Sequence, residues 1–326
     1  MIIRTLVLLV SMTAIIQVSV YILEARQSED TITKLAYNSV ANLHLENTSL
    51  DTLIFIQRKE HMSKMCKTHA NLHRNVFDGT KDLDHILVDE KHKLLYCYVP
   101  KVACTNWKRV FMVLLGIADK DNVSSIPAEM VHRKSTFPRL SNYTVEQANY
   151  FIENFTKYIF VRHPFERLLS AYRNKLEEPS ERSKYFQMRI GRDIVKHYRE
   201  NATNTSLQLG NDVTFEEFAL YLIDRYAPAF NEHWKPISEL CYPCLIGYDF
   251  IGKYETLQSD VEFLLKAINE SDIKFPKVRL SNTTAQILRY YDTLSSQVIA
   301  KLYNIFVLDF KLFSYSTENI LGYEIG

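Results

Sequence analysis

The hydrophobic pattern of this chain changes period along its length, and each change predicts an element. Thr5–Leu23 (TLVLLVSMTAIIQVSVYIL) is an uncharged run of 19 residues, long enough to cross a bilayer as a helix. Residues 24–75 are polar and mixed, with helical stretches possible but little sustained periodicity, as expected of a stem. From Val76 the pattern is that of a packed domain. Ile86–Asp89 and Lys93–Val99 predict a hairpin turning at Asp89–His92. Its second strand is closed by Pro100, which cannot donate to a ladder. Trp107, Val110, Phe111, Leu114 and Leu115 recur at helical spacing over Asn106–Leu115, and Gly116 fits the stop. Val145–Phe155 predicts a helix, Tyr158–Val161 a strand, and Pro164 the first turn of another helix. That helix carries the stripe Phe165, Leu168, Leu169, Tyr172 and Leu176. Phe215–Tyr226, Ser259–Ile268 and Ala285–Phe306 predict further helices, and Tyr248–Tyr254 a strand. The alternation implies an α/β fold, a mostly parallel central sheet flanked by helices, with ligands beyond the C-terminal ends of the strands.

Composition narrows the class only a little. With 47% apolar and 24% charged residues the chain is neither collagen-like nor low-complexity. A net charge of +1 implies no general affinity for nucleic acid. Basic charge is nevertheless concentrated locally, since residues 157–200 carry 11 Lys/Arg against 6 Asp/Glu.

Eight Asn-x-Ser/Thr sites occur, at Asn47, Asn122, Asn142, Asn154, Asn201, Asn204, Asn269 and Asn282. Composition alone predicts roughly two to three, so the excess fits a glycosylated lumenal protein, with Asn154 the least suited because a core strand follows. Arg4 precedes the apolar run, and Glu24 and Arg26 follow it. Its length favours an uncleaved signal anchor over cleavage after Ser19 or Ala25. The expected layout is a tail over 1–4, an anchor over 5–23, a stem over 24–75 and a catalytic domain over 76–326. Five cysteines (Cys66, Cys97, Cys104, Cys241, Cys244) leave at least one unpaired in an oxidising lumen. Cys241-x-x-Cys244 has no second ligand pair at zinc spacing, so structural disulfides are expected, with the pairing open.

Two segments carry the chemistry, Tyr96–Phe111 and Tyr158–Leu176. Each is a strand running directly into a helix, where free backbone N–H groups form an anion site. In the first, Lys101 follows the strand and Thr105 and Asn106 fall at the helix start. In the second, Arg162 ends the strand and Ser170 lies in the second helical turn, a fork and a hydroxyl suited to a phosphate monoester. Arg167 and Arg173 add positive potential or face solvent and Glu177, and His163 reads as a local hydrogen-bonding residue. Two such turns about 60 residues apart suggest a ligand with two separated anionic groups. The pattern G-x-x-x-x-G-K-[ST] and an acidic magnesium partner are missing, which disfavours a kinase or NTPase.

These residues stand in longer blocks. PKVACTNWKR (Pro100–Arg109), RHPFERLLSAY (Arg162–Tyr172), HWKPISELCYPC (His233–Cys244) and YDFIGKYETL (Tyr248–Leu257) follow in that order. Together they resemble the Golgi carbohydrate sulfotransferases of the group that includes chondroitin/dermatan 4-O-sulfotransferases and the HNK-1 sulfotransferase. The resemblance spans about residues 76–315. It implies a P-loop-like fold and the donor 3′-phosphoadenylyl sulfate (PAPS), with no metal required. Pro100, Lys101, Val102, Ala103, Cys104, Thr105 and Asn106 would hold the 5′-phosphosulfate. Arg162, His163, Pro164, Phe165, Glu166, Arg167, Leu168, Leu169 and Ser170 would form the 3′-phosphate site. Lys101 would neutralise charge on the leaving group, and His132 is the expected general base, with Glu129 and His233 as competitors. The implied partner is a glycan acceptor, with GalNAc 4-O of chondroitin the first guess, in a single-pass type II Golgi membrane protein. The rival is a glycan-binding membrane protein that keeps the scaffold without catalysis.

Overall fold

The computed structural model describes residues 50–69, 80–225, 230–278 and 283–325. The expected anchor, most of the stem, and the sites Asn47 and Asn282 lie outside the described residues. Among the described residues no helix is long and apolar enough to cross a membrane.

A four-stranded sheet is ordered β1 (Ile86–Asp89), β2 (Leu94–Cys97), β3 (Thr156–Val161), β4 (Phe250–Lys253). β1 pairs antiparallel to β2, with Ile86 opposite Cys97, as the hairpin predicts. β2–β3 and β3–β4 are parallel, with Leu94 opposite Thr156 and Tyr158 opposite Phe250. The sheet is therefore mixed, and the C-terminal ends of β2 and β3 share one edge. Both strands read as apolar runs because both faces are covered. The longer helices are α1 (Leu50–Thr68), α2 (Cys104–Leu114), α3 (Val145–Asn154), α4 (Pro164–Tyr172), α5 (Phe215–Asp224), α6 (Leu257–Ala267), α7 (Thr283–Tyr291) and α8 (Ser296–Leu312).

α2 lies against the sheet through Trp107, whose ring meets Tyr158 at 5.3 Å and Phe160 at 4.5 Å. Gly252 lets β4 come this close, because a Cβ there would stand 2.2 Å from the Phe160 ring. Gly116, with φ +70°, takes the left-handed position after α2, as its place in the sequence predicts. All nine residues of α4 are buried, beyond the predicted apolar stripe, and Glu166, Arg167 and Ser170 are buried with them. α4 runs on into a single wide π-turn over Arg173–Glu177.

Three expectations change. A single helix over Ala285–Phe306 is instead two, because Ser295 caps α8 by accepting from the Val298 N–H. α1 is one of the helical stretches that 24–75 allows, but the compact unit begins at Phe55 rather than near Val76. From there α1 is fixed by polar and covalent links: Arg58 to Asp260 at 2.5 Å, Lys59 to Asp249 at 2.8 Å, and the Cys66–Cys244 disulfide. It escapes the hydrophobic pattern because Phe55 and Met62 are its only buried positions. Third, Asn154 is exposed, as are Asn122, Asn142, Asn201, Asn204 and Asn269, so the following strand does not occlude it. The second disulfide joins Cys97 to Cys241, and Cys104 is free. Each half of Cys241-x-x-Cys244 thus has a distant partner, which rules out a redox pair between the two and zinc at this motif.

Candidate active site

Between the end of β2 and α2 the backbone turns through Lys101 (φ +72°) and Ala103 (φ +52°). Non-glycine residues in this region carry strain of about 1–3 kcal/mol each, of a kind that clusters at ligand sites. Among the described residues the turn leaves the N–H groups of Cys104 and Thr105 without a backbone acceptor, while that of Asn106 donates to the Ala103 carbonyl at 3.0 Å. Asn106 braces it, donating to the Pro276 carbonyl at 3.0 Å and accepting from Arg109 at 3.0 Å. The Lys101 ammonium donates to Asn174 Oδ1 at 3.0 Å, a group delivered by the π-turn after α4. Val102 is buried beneath the turn.

The second turn lies against the first. Arg162, 2% exposed, reaches the Lys101 carbonyl from Nη1 at 3.4 Å. Its Nη2 and Nε donate to Glu166 Oε2 at 3.0 and 3.2 Å, and its guanidinium lies 4.2 Å from the centre of the Tyr254 ring. The Ser170 hydroxyl, on the same helix, is nearly buried. His163 caps α4 by accepting from the Phe165 N–H at 3.2 Å. Its Nε2 therefore carries the proton, donated to the Ser316 carbonyl at 3.0 Å. With both ring nitrogens occupied, it is the local residue its sequence setting predicts. Pro164, Phe165, Leu168 and Leu169 are core.

Arg167 differs from expectation. It neither faces solvent nor points to the turn's open side, but donates to the carbonyls of Pro100 (3.0 Å), Lys235 (2.7 Å) and Glu232 (3.0 Å). It ties the first turn to the segment His233–Cys244. Arg173 meets Glu177 at 3.4 Å, one of the two alternatives read for it.

Beside the first turn opens a cleft of about 860 Å³. Its walls include Cys104, Lys108, Glu129, His132, Lys175 and His233. His132 Nε2 lies 3.1 Å from Thr105 Oγ1, so the expected base and the expected phosphate-binding hydroxyl touch. Glu129 is exposed and paired with Arg182 at 3.0 Å. His233 Nδ1 is 2.6 Å from Asn231 Oδ1. Asn174, Lys175, Lys108 and Tyr254 were not singled out from sequence. Only Lys108 had a signal, one turn along α2 from Thr105.

The sulfotransferase family matches residues 84–316. Carbohydrate sulfotransferase 11 of Rattus norvegicus is 40% identical over 292 residues, covering 87% of this chain and 81% of its own length. The Danio rerio protein of the same name is 44% identical, over 81% of this chain and 76% of that one. The chain belongs to the carbohydrate sulfotransferases. Human carbohydrate sulfotransferase 9 is 37% identical over 80% of this chain and 60% of its own length, so the likeness extends across differently numbered members. No solved structure gives a significant match. Membership makes the protein an enzyme of the PAPS-dependent O-sulfotransferase class, as the four sequence blocks imply.

The electrostatics of this sulfotransferase suit a polyanionic donor. Burial, then Lys175 and Arg162, lowers the Lys101 pKa to about 8. The ring of His132 is exposed on the cleft wall. Partial desolvation there, then Lys108, Arg182, Lys175 and Arg109, lowers its pKa to about 4. Burial and the cations Lys175, Lys101 and Arg167 lower His233 to about 2. Cations crowd the site, and a bound anion would relieve them. Among the described residues no group of His, Cys, Asp and Glu is placed to hold a metal ion.

Proposed function

We propose that this enzyme transfers the sulfuryl group of PAPS to a sugar hydroxyl of a glycan, GalNAc O-4 of chondroitin-type chains, in the Golgi lumen behind an N-terminal anchor. The observation that carries the donor assignment is the Lys101 turn. Among the described residues the half-buried ammonium meets one acceptor, an amide oxygen, beside two further cations, on a strained backbone at the start of α2. The group that fits is a multiply charged anion.

In this reading the α2 amides and Thr105 take the 5′-phosphate, and Lys101 takes the charge that develops on the bridging oxygen. Ser170 and the Arg162 fork take the 3′-phosphate, the fork oriented by Glu166 and backed by Tyr254. Once Thr105 turns to the phosphate, His132 Nε2 is released toward the cleft and accepts the acceptor's hydroxyl proton. The bond from acceptor oxygen to sulfur forms as the bond from sulfur to the bridging oxygen breaks, in line and without an enzyme-bound intermediate. Positioning and charge stabilisation supply the rate. The neutral state of the ring suits a base, and the donor's negative charge would raise its basicity toward the working pH.

The name shared by several relatives supports the chondroitin guess only through the resemblance already drawn. The test is incubation with radiolabelled PAPS and a panel of glycans, followed by disaccharide analysis. Label at the GalNAc 4-position of chondroitin is expected. Label confined to another sugar would move the acceptor, and binding of adenosine 3′,5′-bisphosphate without transfer to any glycan would favour the non-catalytic scaffold.

A further inference from the structure

Lys108 is the most deeply buried lysine of the cleft, and among the described residues no side chain or carbonyl accepts a hydrogen bond from it. Lys108 is 4% exposed, and its ammonium lies 3.5 Å from the centre of the Tyr98 ring. Among the described residues it meets no hydrogen-bond acceptor and no carboxylate. Two arginines of the cleft have carboxylate partners, while Lys134 and Lys175 have none among the described residues. Arg139 bonds Asp84 at 2.5 Å, Arg182 bonds Glu129 at 3.0 Å, and Glu232 stands 3.4 Å from His85. Lys175 acts on Lys101 and so belongs with the donor end. Arg139 also keeps its buried Nε without a partner, and its guanidinium lies 5.9 Å from the same Tyr98 ring.

The residue is buried while its ammonium keeps an edge open to the cleft, and one aromatic face offsets only part of the free energy that its partial desolvation costs. An anion entering the cleft would complete the set. Its place follows from the helix. Lys108 stands three residues along α2 from Thr105, on which His132 rests, a rise of about 5 Å. That is the reach of a substituent on the neighbouring sugar, not of the hydroxyl being modified.

We propose that Lys108, seated on Tyr98 with Arg139 beside it, binds a carboxylate or sulfate on the sugar next to the one modified, and so selects anionic glycans. This rests on the glycan acceptor proposed above. The donor's phosphates are held elsewhere in that reading, which makes the two separable.

The full-length enzyme is assayed with unsulfated chondroitin, with the same chain after its uronates are reduced to neutral sugars, and with the reduced chain sulfated at the C6 hydroxyl that reduction creates on that neighbouring sugar. The wild type should favour the uronate chain over the neutral one by about tenfold in kcat/KM, the worth of one charged hydrogen bond. Recovery with the sulfated chain would assign the subsite to either anion, and no recovery to carboxylate. Lys108→Met should erase the preference and Lys108→Arg should restore most of it, with the Kd of adenosine 3′,5′-bisphosphate within about twofold in both. The wild-type comparison needs no variant to fold. Equal turnover of charged and neutral chains, or a preference that survives Lys108→Met, would overturn the proposal alone. A bisphosphate Kd that rises with Lys108→Met would make Lys108 a donor ligand and overturn it too. Transfer to none of the chains would remove the functional reading and this inference together.

Discussion

Replacing Arg167 with methionine separates an architectural role from a ligand role. The side chain is 2% exposed and makes three hydrogen bonds to carbonyls, at 2.7, 3.0 and 3.0 Å, that join the Pro100 turn to Glu232 and Lys235. Among the described residues no carboxylate bonds it directly; burial lowers its pKa to about 10, with Asp309 acting against that from nearby. Each charged hydrogen bond is worth about 1.5–3 kcal/mol, and an abandoned buried carbonyl costs about 1–3 kcal/mol. Against this stands the relief of a desolvated cation, several kcal/mol. The net expectation is a loss of about 3–5 kcal/mol, the range for breaking a buried polar network. At about 2–4 °C per kcal/mol for a domain of this size, Tm should fall by about 6–20 °C. Differential scanning fluorimetry reads this directly. Lys at this position should recover little, since one ammonium cannot span carbonyls contributed by three residues. An unchanged Tm with lost affinity for adenosine 3′,5′-bisphosphate would refute the reasoning and make Arg167 a phosphate ligand.

Four further outcomes follow from the same geometry. His132→Ala should lower kcat by about 10²–10⁴-fold while bisphosphate affinity is kept; near-normal turnover in a stopped assay would end its assignment as base. Lys101 must be charged to act, and its pKa is lowered to about 8, so kcat/KM for PAPS should fall as pH rises through about 8. Donor binding stabilises the charged form, so the basic limb of kcat should lie higher; coincident limbs in the two profiles would count against a donor contact at Lys101. Removing the Cys97–Cys241 disulfide, by changing both residues to Ser, should cost about 2–5 kcal/mol in a denaturant melt, because it links the end of β2 to the segment that Arg167 also holds.

What the sequence made legible depends on how local the cause was. β2 and β3 were readable because both are short apolar runs punctuated by Pro100 and by Arg162–Pro164, and the two turns followed from them. The break between α7 and α8 was also written locally, in the capping Ser295, but the apolar residues on both sides masked it. Arg167 could not be read, since its acceptors come from residues 65–68 positions away. The disulfide pairing was equally remote, with separations of 178 and 144 residues. Arg162 is an intermediate case. Its partner Glu166 stands four residues on, a spacing that brings two side chains together on one helix face, although the pair was not read from the sequence. Tyr254 beneath it was not visible, because β4 had first to be laid beside β3. Lys108 was within a recognised block, yet its interest lies in what does not surround it, which only packing reveals.

The central claim is that the two turns grip the two ends of one donor. Calorimetric titration of the wild type, Lys101→Met and Ser170→Ala with adenosine 3′,5′-bisphosphate and with adenosine 5′-phosphate tests it most directly. The account predicts that the wild type binds the bisphosphate more tightly than the monophosphate. Ser170→Ala should narrow that gap, and Lys101→Met should weaken both ligands. A wild type that binds the two nucleotides equally, or a gap that Ser170→Ala leaves untouched while Lys101→Met changes neither affinity, would contradict it.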